Sequence, residues 1–111
     1  MKTIREFAPA DRYVYDFGVC SYDKGFAQVD TKQDASYFGT WASPERRMIV
    51  SYCEGDVTTQ ICDSDEEFAA ALRSFDAWNV EHGYGNARID PGFSPDMKAA
   101  FERVGLADML H

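Results

Sequence analysis

The chain has 111 residues, of which 45% are apolar, 14% aromatic and 27% charged, with a formal net charge of −8. One hydrophobic core fits that length and two do not, and the apolar share excludes wholesale disorder. No apolar run reaches the roughly 18 residues of a membrane span, and Met1 to Arg12 lacks the apolar stretch of a secretory signal. A single cytoplasmic domain over residues 1–111, away from membranes, is therefore expected.

Strands come first. From Arg12 to Cys20 the side chains alternate, with Tyr13, Tyr15, Phe17 and Val19 on one face, which predicts a half-buried strand. Asp23-Lys24-Gly25 follows as a hairpin loop with glycine at its left-handed position. A second strand is expected over Phe26 to Thr31, with Ala27 and Val29 sharing the face of Phe17. Lys32-Gln33-Asp34 reads as a turn and Ser36 to Ala42 as a third, aromatic-rich strand, broken by Ser43-Pro44-Glu45 because proline donates no ladder hydrogen bond. Met48 to Glu54 and Val57 to Cys62 form the clearest hairpin, around Gly55-Asp56. Pairing Glu54 with Val57 sets Tyr52 opposite Thr59 and Val50 opposite Ile61, with Ile49, Cys53 and Cys62 on the reverse face.

Helices follow. Ser64-Asp65-Glu66-Glu67 has the spacing of a capping box, in which the serine oxygen accepts a backbone N–H and the glutamate reaches back. The helix it opens runs to about Glu81 and presents Phe68, Leu72, Phe75 and Trp78 as a stripe, and His82-Gly83 ends it. Tyr84 to Phe93 reads as a loop. Ser94-Pro95 opens a second helix that turns Met97, Phe101 and Val104 inward. Gly105 stops it, and Leu106 to Leu110 forms a short terminal turn, with His111 frayed. The predicted fold is α+β: a five-stranded antiparallel meander, with a curled half-barrel as its close variant, followed by two C-terminal helices on one face. Its expected core is Tyr15, Phe17, Val29, Val50, Ile61, Phe68, Leu72, Phe75 and Phe101.

Charge is uneven along the chain. Residues 1–50 hold seven basic and seven acidic side chains, whereas residues 51–111 hold four and twelve. The densest acidic stretch comprises Glu54, Asp56, Asp63, Asp65, Glu66 and Glu67, with no Lys or Arg between them. Val57, Ile61 and Phe68 interleave with these acids, so they belong to folded elements rather than to an acidic tail.

Chemical motifs are scarce. Gly83-Tyr84-Gly85 follows a helix and lacks the third glycine of a dinucleotide fingerprint. There is no phosphate-loop lysine, no His-Glu-x-x-His and no Cys-x-x-Cys, so neither a metal nor a cofactor is expected. Cys20, Cys53 and Cys62 are widely spaced, and three cysteines cannot all pair within one chain, which suits free thiols in a reducing compartment. Cys53 or Cys62 with His82 is the one nucleophile–base pair that can be drawn. His82 already has a simpler role at a helix C-terminus.

These features point to a non-enzymatic protein-binding module. Its acidic stretch (Glu54, Asp56, Asp63, Asp65, Glu66 and Glu67) would dock on a basic, nucleic-acid-binding surface of a larger partner, as an anti-nuclease or anti-CRISPR inhibitor would. The same charge repels phosphates, so direct nucleic-acid binding is not expected. Self-association through a sheet edge or the outer sheet face is a further expectation. The alternative is a small-ligand binder or minor enzyme with a pocket between the sheet and the long helix.

Overall fold

The computed structural model describes residues 2–4, 22–33, 38–53 and 56–111. The strands are β1 (Lys2–Ile4), β2 (Ala27–Asp30), β3 (Phe38–Ser43), β4 (Met48–Cys53), β5 (Asp56–Ile61) and β6 (Arg88–Asp90). The helices are α1 (Asp65–Glu81) and α2 (Pro95–Arg103), with 3-10 turns at Tyr22–Lys24 and Ala107–Met109. The strand expected over 12–20, with core candidates Tyr15 and Phe17, lies outside the described residues.

The strands form one sheet in the order β1-β5-β4-β3-β2-β6, and every neighbouring pair is antiparallel. Strands β2 to β5 correspond to the second to fifth strands of the expected meander. β1 adds to its β5 edge, and β6, drawn from the stretch read as a loop, adds to β2. The fold is α+β, and the sheet is not closed into a barrel: β1 and β6 stand at opposite ends of the order.

Both helices pack on the face that carries Ala27, Val29, Ala42 and Ile49. There Phe68, Leu72 and Phe101 are fully buried, and Ala71, Met97 and Leu106 are among the other buried members of the cluster. Phe68 and Phe101 bring α1 and α2 together, with ring centroids 6.3 Å apart. On the other face Phe26, Met48 and Val50 are buried as well, with Trp41, Val57 and Ile61 half-buried around them. The sheet is thus apolar on both sides.

That second cluster corrects the expected core. Val50 and Ile61 lie on the face away from the helices, whereas Ile49 and Cys62, expected outside, lie beneath them. The hairpin register differs too: Cys53 pairs with Asp56, Val50 with Thr59 and Met48 with Ile61. This is a shift of two residues from the expected pairing. An even shift leaves every side chain on its original face, since strand side chains alternate with period two.

The helix stripe is also rotated from the one expected. Phe68, Ala71, Leu72 and Asn79 are buried in α1, Phe75 is half-buried and Trp78 is exposed. The buried Asn79 donates from Nδ2 to the carbonyl of Phe75 at 2.8 Å. Trp78 instead stacks on His82, with centroids 4.0 Å apart, and lies 6.0 Å from the Tyr84 ring.

The C-terminus is held rather than frayed. His111 donates its backbone N–H to the Ile89 carbonyl at 2.9 Å, and its Nε2 lies 2.9 Å from Asp30 Oδ2. Leu110 forms an isolated parallel bridge to Ile89. The outer edge of β6 is therefore partly covered by the chain's own end, one of the ways sheets avoid open edges.

Candidate functional site

The acidic stretch flanks β5 at both of its ends. Asp56 opens that strand, and Asp63, Asp65, Glu66 and Glu67 lie beyond its other end, where α1 begins. Glu54 lies outside the described residues. Six strand residues at roughly 3.3 Å each set Asp56 and Asp63 on the order of 20 Å apart.

The helix start is built from local chemistry. Ser64 is the N-cap of α1 and accepts the Glu67 N–H at 3.1 Å. Glu67 Oε2 accepts from the Asp63 N–H at 2.8 Å, one residue before the position that a standard capping box uses. Glu67 is thus committed to holding the chain as it enters the helix. Asp65 and Glu66, in the first turn, face the positive end of the helix dipole.

A second contact, unsignalled in the sequence, ties the helix start to the β3–β4 turn. Arg47 Nε donates to Asp65 Oδ1 at 3.1 Å, and its Nη1 donates to the Asp63 carbonyl at 3.1 Å. The Arg47 carbonyl in turn accepts the Cys62 N–H at 2.8 Å. Arg47 does this from a left-handed backbone, φ +54°, which costs an L-residue about 1–2 kcal/mol. Asp65, on sequence grounds dispensable to the cap, therefore has a structural partner. Both members of this pair remain 43–44% exposed. Asp63 and Glu66 are exposed as well.

Cys62 and His82 do not assemble as a pair, and the side chain of Cys53, the other candidate, lies outside the described residues. Cys62 is buried just before α1, and His82 caps the far end of the same 17-residue helix, about 25 Å away at 1.5 Å per residue. Burial, followed by the nearby Glu67 carboxylate, pushes the Cys62 thiol up, away from the thiolate that a nucleophile requires. His82 Nδ1 lies 2.8 Å from the Trp78 carbonyl, consistent with its helix-capping position. Cys53 pairs across the hairpin with Asp56, at the opposite end of β5 from Cys62, which separates the two residues along the ladder. Among the described residues, no group of three His, Cys, Asp or Glu side chains is placed to hold a metal ion. Nor is any described helix long and apolar enough to cross a membrane.

Two adjoining surface grooves lie at the start of α2. One, of about 500 Å³, is lined by Tyr22, Arg46, Met97 and Ala100 among others. The other, of about 510 Å³, runs between Tyr22 and the Asp90–Ser94 segment. Burial and then the Asp90 carboxylate push the Tyr22 hydroxyl's pKa up. The sequence gives no warning of these grooves, because Tyr22 and Ser94 are far apart in the chain and meet only through β2–β6 pairing. The chain matches no protein-family model, no curated protein and no solved structure.

Proposed function

We propose that the protein is a non-enzymatic acidic binding module that docks on a basic, nucleic-acid-binding surface of a larger protein and so inhibits it. The observation that carries this reading is the charge distribution: twelve acids against four basic residues in residues 51–111. Asp63 and Glu66 stand exposed where α1 begins, and Asp56 lies at the other end of β5. A spacing of about 20 Å between acidic positions is comparable with the reach of several phosphates along one DNA strand. Helix and strand hold these acids at fixed separations, so little ordering entropy is lost on docking. Long-range attraction of this kind raises the association rate above all and weakens with salt.

A pull-down from source-cell extract at low salt, repeated at high salt, tests the reading. It requires a captured nucleic-acid-binding protein that high salt releases and whose nucleic acid competes with this chain. Capture that resists salt, or that nucleic acid leaves undisturbed, would contradict it.

A further inference from the structure

Phe93 is the most exposed large apolar side chain among the described residues, at 107% of its reference area, and its surroundings are rigid. Pro91 fixes one backbone angle before it. The Gly92 N–H donates to Asp90 Oδ1 at 2.9 Å. Gly92 itself has φ +66°, and a Cβ there would lie 3.1 Å from the Tyr22 ring, so the position favours glycine. Immediately after Phe93, Ser94 caps α2 by accepting the Met97 N–H at 3.2 Å, and Pro95 occupies the first helical turn. An aromatic ring presented to solvent on so constrained a turn costs little backbone ordering when it is buried, as suits an interface anchor.

The 500 Å³ groove begins beside this ring, and the two share Tyr22 and Ser94 as neighbours. Met97 and Ala100 give the groove an apolar wall, and its volume is ample for a phenyl ring. Its charges are close to balanced: Lys24 and Arg46 against Asp23, Glu45 and Asp96. None of these five is in an ion pair among the described residues. In a chain of net charge −8, most surfaces of two copies repel, whereas here each copy offers both signs to the other.

We propose that two copies of this chain associate by reciprocal insertion, the Phe93 of each entering the Tyr22–Met97–Ala100 groove of the other. Knob and groove lie side by side, so a twofold axis passing between them satisfies both at once and closes the assembly as a dimer. This surface differs from a sheet edge, which at β6 is partly covered by Leu110 and His111.

Sedimentation of the wild-type chain at physiological salt and tens of micromolar should show a species of twice the chain mass. Phe93→Ala, at a fully exposed site, should leave the fold intact and weaken association by about tenfold or more. Ala100→Glu, which obstructs the groove, should do the same. Mixing the two variants should restore association, because the groove of the first and the phenylalanine of the second form one complete insertion. Should Ala100→Glu disturb the helix by circular dichroism, the exposed pair Lys24→Glu and Arg46→Glu takes its place as the blocked groove. A monomeric wild type, a Phe93→Ala chain that dimerises normally, or a mixture no more associated than its components would overturn the proposal.

Discussion

Arg73 shows how much one side chain can organise near the C-terminus. Its two terminal nitrogens donate to the Asp108 carboxylate at 2.9 and 3.0 Å, and Nη2 also reaches the Gly105 carbonyl at 2.8 Å. The Arg73 hydrogen bonds hold the Asp108 carboxyl below its ordinary range. Its folded-state value therefore lies under the unfolded value of about 3.9. The contribution is fully present above that unfolded value and is lost as pH falls through the folded one. Asp108→Asn should flatten the acid side of the stability profile, whereas identical acid-unfolding curves for variant and wild type would contradict the assignment. Burial ranks the aromatic residues of α1 in the same direct way. Phe68→Ala should cost about 3–5 kcal/mol, Phe75→Ala clearly less, and Trp78→Ala least of the three. Melting temperatures in any other order would mean that the helix face has been misassigned.

At the scale of elements, the turn from β3 into β4 and the start of α1 behave as one unit because Arg47 binds both. Arg47→Ala removes the contacts to Asp65 and the Asp63 carbonyl while keeping the left-handed backbone. Arg47→Gly removes the same contacts and relieves the strain, so it should be the more stable variant by about 1 kcal/mol. Equal denaturation midpoints for the two would show that the left-handed conformation carries no cost. Ser64→Ala should lose about 1 kcal/mol through the missing cap.

The elements that were legible in the sequence are those with local chemical punctuation: Ser64 and Ser94 as caps, Pro95 in the first turn, Gly83 after the helix end. β1 and β6 were not legible, since three residues with a single Ile give no alternation to read, and their pairing is decided by partners distant in sequence. The helix-facing side of β4 was misread because Ile49 and Val50 are both buried, one on each side of the sheet. Parity then separates the two faces without saying which one the helices cover. The Arg47–Asp65 contact was invisible for a related reason: its partners are joined only by the fold of β4 and β5.

For the whole molecule, residues are buried on both faces of the sheet and the β6 edge is partly covered by Leu110 and His111. The proposed docking uses surface charge, and the proposed self-association uses the α2 grooves. The acids named from sequence divide once their partners are known. Glu67 and Asp65 hold the helix start, whereas Glu66 is exposed and outside the capping contacts. Neutralising Asp65 would confound binding with stability, so Asp56→Asn, Asp63→Asn and Glu66→Gln are combined instead. The most direct test of the docking account is the association rate of this triple variant with the captured partner, measured against wild type at low and at high salt with equal melting temperatures confirmed. The account predicts severalfold slower association of the variant at low salt, with the two rates converging as salt rises. Equal rates at low salt would mean that the acidic stretch serves solubility and not recognition.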